Sequence, residues 1–310
     1  MSDSHMYMVP DGLGGMRTDA AVSVMTGLSR STVAKMCDEN KIFFHGKPLK
    51  KSEKVVAGSI LDVELPMKKE VVFRSSDAEI PLLYEDDDIV VIDKPHGLAS
   101  HPSLNFEGPD VLGTLRDMGV MLCEYGPQER HGIVHRLDVG TSGCLVLAKS
   151  NTAYSVLKDA FRYRKVKKVY HALVQGHPDP FKGTVDAPIG HSGSKQWKMA
   201  IVEGGRPSIT HYVTLEVMPG AALLEVNLET GRTHQIRVHM SAIGHPCVGD
   251  GVYGADPSIS RRLHLERQWL HARRLSFTHP LSEEWMTFEA PYPKDLDESL
   301  NIMREGIYSS

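Results

Sequence analysis

The sequence predicts an α+β protein, a small helix-helix-strand module followed by a larger domain of many short strands. Three observations carry this reading. Residues 16–66 hold two short helical patterns and one strictly alternating strand; from Ile80 onward short apolar runs are divided by Gly and Pro turns; and helical patterns interrupt those runs without the regular strand-helix-strand alternation of a parallel sheet. At 310 residues the chain has room for two cores, at roughly 100 to 200 residues per domain, one of them small.

Along the chain, residues 1–15 carry Pro10, Gly12, Gly14 and Gly15 and little hydrophobic periodicity, so a flexible tail is expected there. Asp19 opens a helical pattern that ends near Gly27, and Ser29 is placed to cap a second helix through Val33, Met36 and Cys37. Ile42-Phe43-Phe44 runs into a His45-Gly46 turn, and from Ile60 to Leu65 the residues Leu61, Val63 and Leu65 alternate with Asp62 and Glu64. A polar linker is expected over 67–79, and a second domain over 80–300. In that domain Ile89 to Ile92, Cys144 to Lys149, Tyr170 to Val174 and Leu223 to Leu228 read as strands. Ser150 is placed to cap a helix with Ala153, Val156, Leu157, Ala160 and Phe161 on one face; Thr233 is placed to start another that stops at Gly244. Residues 301–310 read as a tail.

The composition is that of an ordinary globular protein, with 41% hydrophobic and 24% charged residues, which excludes disordered and fibrous classes. A net charge of -4 argues mildly against a nucleic-acid partner, because phosphate binding rests on Lys and Arg. The average conceals a division: Met16 to Lys54 holds eight Lys or Arg against four Asp or Glu, and Leu281 to Ser310 two against seven. Arg162, Arg164, Lys165, Lys167 and Lys168 follow one another without an acid, a second candidate phosphate surface. Cys37, Cys123, Cys144 and Cys247 form no C-x-x-C pair, so neither a zinc ribbon nor a disulfide framework is expected. With no signal-peptide pattern and no apolar run near the roughly 18 residues of a membrane span, a soluble cytoplasmic protein is expected, and a monomer.

Chemistry is concentrated in His131-Gly-Ile-Val-His135-Arg136-Leu137-Asp138-Val-Gly140-Thr141-Ser142-Gly143, an acid and a base beside a glycine turn between two apolar strand candidates. Taken alone this is more readily a structural turn in which Asp138 caps backbone amides. The run from His135 to Asp138 with Thr141-Ser142-Gly143 and Ala148-Lys149 resembles the signature of the RluA-type pseudouridine synthases. Four more blocks resemble that family in the same order: Tyr84-Glu85-Asp86-Asp87 through Asp93-Lys94-Pro95-His96-Gly97-Leu98, then Lys168 to Val174, then Thr230 to His239, then Leu270-His271-Ala272. Five motifs in register over roughly 190 residues are far more specific than one. Residues 16–66 resemble the small RNA-binding module of ribosomal-protein S-four type through Arg17-Thr18-Asp19, Leu28-Ser29-Arg30-Ser31 and Gly46-Lys47-Pro48, with Thr18 in place of the usual leucine. His96 stands where the RluA-type family mostly has a small residue.

The resemblance implies a mixed, largely antiparallel catalytic domain, no cofactor, no metal, and RNA as partner, with ribosomal RNA or a pre-ribosomal particle favoured. It implies that Asp138 is the nucleophile, Arg237 its cationic partner and Tyr170 a pocket wall against the uracil. An ionised carboxylate can attack a sugar carbon and release the base, and a neighbouring cation favours the ionised form. Because the freed uracil must reattach through carbon, one carboxylate and a dry site suit the reaction better than the paired acids of a hydrolase. Arg136 is assigned to base flipping and Arg232, just before a helix, to a phosphate. His135, His234 and Gln235 are expected substrate contacts; Arg17, Arg30, Lys35 and Lys47 are expected RNA contacts of the module.

Three decoys are set aside. Gly249-Asp-Gly251-Val-Tyr-Gly254 fits the dinucleotide glycine pattern but lacks the strand before it and the helix after it. His234 and His239 lack the acid of a zinc-protease helix, and 16 histidines make chance pairs common. Asp138, His135 and Ser142 lack the G-x-S-x-G elbow of a hydrolase. The rival readings are a non-catalytic RNA-binding or ribosome-assembly factor, and a metal-dependent nuclease sensitive to EDTA.

Overall fold

The computed structural model describes residues 3–65, 71–77, 79–102, 106–125, 127–193 and 197–306. The chain divides into two compact units, Met1–Glu70 and Val71–Ser310. Among the described residues no helix is long and apolar enough to cross a membrane.

The first unit comprises β1 (Asp3–Met8), α1 (Thr18–Thr26), α2 (Arg30–Asp38), β2 (Ile42–Phe44), β3 (Lys47–Pro48) and β4 (Ile60–Leu65). Gly27 ends α1 in the left-handed conformation, and the Ser29 hydroxyl accepts from the Thr32 amide to start α2. Ala21, Val22, Val33, Met36, Ile42, Leu61 and Val63 form the core beneath the sheet order β1-β4-β2-β3. The expected flexible tail is corrected here: residues 3–8 are a strand, paired antiparallel with all of β4. Its Met6 and Met8 stay exposed, so the strand is held by backbone pairing and shows no apolar alternation to read.

The second unit runs β5 (Leu82–Glu85), β6 (Ile89–Lys94), α3 (Val111–Asp117), β7 (Ser142–Ala148), α4 (Asn151–Arg162), β8 (Lys167–Gln175), β9 (Lys182–Asp186), β10 (Ile189–His191), β11 (Met199–Ile201), β12 (Ile209–Met218), β13 (Ala221–Leu228), α5 (Gln235–Ala242), α6 (Pro257–Arg262), β14 (Leu270–Thr278), β15 (Trp285–Glu289) and α7 (Lys294–Glu305). Nine described strands make one sheet in the order β5-β6-β7-β14-β8-β13-β12-β9, with β15 on β14. Every pairing in it is antiparallel except β7 with β14. That parallel contact depends on Gly143, where a Cβ would stand 2.3 Å from the Ala272 carbonyl oxygen.

Three further boundaries differ from expectation. The second unit begins before Ile80: Phe73 packs on its main core, the Asp110 amide donates to the Arg74 carbonyl, and the Arg74 amide donates to the Asp110 carboxylate. Of the expected linker, residues 67–70 and 78 lie outside the described residues. The expected C-terminal tail is helical as far as Glu305, because Leu296, Leu300 and Met303 recur at helical spacing and are buried. The helix expected to start at Thr233 starts at Gln235, after His234 adopts a left-handed conformation at φ 55°.

Candidate active site

The loop between η-turn residues 128–130 and β7 carries Asp138 and is fixed by backbone contacts on both sides. The Ser100 hydroxyl donates to the Leu137 carbonyl at 2.8 Å and accepts from the Leu137 amide at 3.0 Å. The Gly97 amide donates to the Val139 carbonyl, and the Thr141 amide to that of Asp138. Lys94, fully buried at the end of β6, directs its ammonium to the carbonyls of Pro95, Leu98 and Val139. Burial pushes that ammonium down to about 7, against the pull of Asp138. From the far side Arg267 donates to the Gly140 carbonyl at 2.9 Å while gripping Asp295 of α7 through Nε and Nη2.

Asp138 therefore stands at the wall of a cleft of about 650 Å³, which is also lined by Arg136, Tyr170, Arg232, His234 and Arg237. Arg237 reaches it from α5: Nη1 lies 3.4 Å from Asp138 Oδ2. Burial works against the charge of Arg237, yet Asp250 and Asp138 together keep its guanidinium above the ordinary value. Tyr170 comes from β8 and is buried in the main core, and it also lines the cleft. Burial, and then the Asp138 carboxylate, hold its phenol above the usual tyrosine value.

Asp250 and Tyr253 were missed by sequence reasoning. Asp250, 1% exposed at its side chain, accepts from Arg237 Nε at 2.6 Å and Nη2 at 2.9 Å, and from the amides of Val252 and Tyr253. The Arg237 guanidinium carbon lies 4.9 Å from the centre of the Tyr253 ring, and the Tyr253 hydroxyl meets His234 Nδ1 at 2.8 Å. His234 Nε2 in turn lies 3.8 Å from Asp138 Oδ2. The signal lay in the glycine-rich run rejected as a dinucleotide loop: Gly249, at φ +80°, makes the turn that presents Asp250. A Cβ there would stand 2.1 Å from the Arg267 carbonyl oxygen.

The other expected contacts divide. Arg136 is exposed at the cleft rim, and Arg232 lies beside it with Nε on the Pro207 carbonyl. Gln235 is reassigned: its oxygen accepts from Thr230 and from the Arg232 amide, and its nitrogen donates to the Ile209 carbonyl and to Thr210. An amide so saturated positions the loop and has nothing left for a substrate. His135 is likewise drawn inward, accepting from the Val146 amide and stacked on Phe161 at 4.4 Å, with burial pushing its imidazole down to about 3. In the first unit Arg17 and Arg30 both pair with Asp19, Lys35 pairs with Glu39, and Lys47 is exposed at the start of β3.

Residues 88–242 match the family model described as RNA pseudouridylate synthase. An uncharacterized RNA pseudouridine synthase of Mycobacterium tuberculosis is 52% identical over 307 residues, covering 98% of this chain and 99% of the relative. The chain belongs to the RNA pseudouridylate synthase family. The ribosomal large subunit pseudouridine synthase D of Pseudomonas aeruginosa is 38% identical over 307 residues, 96% of this chain and 95% of that one. Among solved structures, human RNA pseudouridylate synthase domain containing 1 superposes with a TM-score of 0.59 at 29% identity, over 74% of this chain and 90% of the other. The synthase is thus an isomerase that converts uridine to pseudouridine in RNA, on the α+β fold expected from the sequence.

Proposed function

We propose that this synthase acts on uridines of large-subunit ribosomal RNA, with Asp138 as nucleophile and Arg237 as the cation that orients it. The observation that carries the reading is the pairing of these two side chains, 3.4 Å apart, one from a loop and one from α5 99 residues later, at the wall of the cleft. Isomerisation breaks the bond from ribose C1′ to uracil N1 and forms one from C1′ to C5, with one proton leaving C5 and one taken up at N1. The base must turn while detached, which requires a cleft that holds uracil and keeps water from C1′. Tyr170 supplies a flat apolar wall, and its raised phenol remains a neutral hydroxyl at physiological pH. A uridine reaches Asp138 only after leaving its stack, and the exposed guanidinium of Arg136 at the rim is suited to the vacated position.

Large-subunit ribosomal RNA is favoured by the name of the Pseudomonas aeruginosa relative and by the basic stretch Met16 to Lys54 of the first unit, which we read as an RNA-binding module contacting RNA through Arg17, Arg30, Lys35 and Lys47. Bacterial relatives and four free cysteines fit a cytoplasmic protein. The test is to incubate purified protein with ribosomal and transfer RNA from cells lacking it, and to map pseudouridine. The reading expects new pseudouridine in large-subunit RNA with the parent protein and none with Asp138→Asn, which still binds; turnover by that variant removes Asp138 from the chemistry.

A further inference from the structure

A second groove, of about 490 Å³, opens beside the cleft on β8, β13 and β14. Arg164, Lys168, Leu228 and Glu229 line both, so the two are continuous. Not all of its cations are free: Glu229 pairs with Arg164 and His211, and Arg274 lies near Glu225 and Glu289. Lys167 and Lys168 have no carboxylate partner among the described residues. Lys168 faces Arg164 and Arg232, and burial followed by these two charges pushes its ammonium down to about 8. Lys167 pairs in register with Ser276 of β14, and on the adjoining strand β15 it meets Trp285, its ammonium 5.4 Å from the centre of the indole. That indole is 52% exposed on the sheet surface.

We infer that this groove holds an unpaired stretch of the substrate RNA flanking the uridine in the cleft, with a base stacked on Trp285 and backbone phosphates beside Lys167 and Lys168. The inference rests on the proposed action on RNA and extends it to the path of the strand. A half-exposed aromatic side chain beside lysines without a carboxylate partner is the combination that grips single strands without reading sequence, since every base has a flat face and every nucleotide a phosphate. A phosphate at Lys168 would also relieve the repulsion among Lys168, Arg164 and Arg232. Continuity with the cleft makes the strand that carries the target uridine the natural occupant.

The experiment measures binding of a fluorescein-labelled ten-nucleotide oligouridylate to the full chain by anisotropy across a salt series. Trp285→Ala is expected to weaken binding about tenfold or more, with Trp285→Phe restoring most of it. Lys167→Ala is expected to lower the steepness of log K against log salt by about 0.7. Lys294→Ala, exposed on α7 beside Glu298, serves as the control and is expected to bind as the parent does. Unchanged thermal unfolding of these surface variants separates lost binding from lost folding. The inference is overturned if Trp285→Ala and Lys167→Ala bind like the parent, if the parent does not bind the oligomer, or if polyglutamate competes as well as RNA, which marks a general anion or protein surface. Pseudouridine formation by the parent is scored separately: product without any groove effect sinks this inference alone, and absence of product in any RNA sinks the underlying reading.

Discussion

Arg237 gives two hydrogen bonds to buried Asp250 and a third, longer one to Asp138. The guanidinium is therefore anchored from behind and presents its remaining edge to Asp138. Removing one partner of a buried pair leaves an uncompensated charge at a cost of about 3 to 5 kcal/mol. Asp250→Ala is expected to destabilise the fold on that scale in chemical unfolding. Asp250→Asn, which keeps the shape, is expected to lower single-turnover product formation at least tenfold while RNA affinity changes little. Equal loss of affinity and rate would count against the anchoring role.

Arg237→Lys retains a cation without the fork that spans two carboxylates. Product formation is expected to fall about 100-fold, with RNA binding kept, and single-turnover kinetics at saturating RNA measure it. A lysine variant as fast as the parent would show that charge alone suffices.

Tyr170→Phe keeps the buried ring and removes the hydroxyl. Because the phenol is held above its ordinary value by burial and Asp138, its ionisation contributes no fall in rate between pH 7 and about pH 10. The parent and the phenylalanine variant are expected to share the shape of the pH–rate profile over that range. An alkaline limb present only in the parent would contradict this.

His271, fully buried on β14, bonds Ser142 through Nδ1 and the Ala290 carbonyl through Nε2, and burial pushes it down to about 4 from 6.5. The folded state thus favours the neutral ring. This stabilisation is complete above pH 6.5 and is lost as pH falls toward 4, since the unfolded chain takes up the proton first. His271→Gln is expected to flatten the acid limb of unfolding free energy against pH by about one proton, about 1.4 kcal/mol per pH unit. An unchanged slope in denaturant titrations between pH 4 and 6.5 would refute the assignment.

Gly249→Ala meets both a positive φ and the Arg267 carbonyl oxygen. Destabilisation of at least about 1 to 3 kcal/mol is expected, together with loss of activity, since the turn presents Asp250. Thermal unfolding and turnover of the same preparation measure both effects.

The residues that carry periodicity or a tight motif were legible in the sequence. The Ser29 and Ser150 caps, the alternation of β4 and the burial of β7 follow from local pattern, and Asp138 and Arg237 follow from motif resemblance. What was not legible depends on long-range partners. β1 is defined by its pairing with β4, and Gln235 looked available because Thr210 and Ile209, which saturate it, lie far along the chain. Asp250 lay in full view within a glycine run, but only the fold brings that run behind Arg237.

The Asp138 loop is pinned by Arg267, and Arg267 is itself held by Asp295 near the end of the second unit. Its neighbour β7 lies against β14, a strand made more than a hundred residues later in synthesis. A growing polypeptide thus contains Asp138 long before it contains the Arg267 and Asp295 side chains that pin its loop. The loop that carries Asp138 therefore takes its final set by contact with the helix formed last among the described elements, so its geometry is a property of the finished second unit.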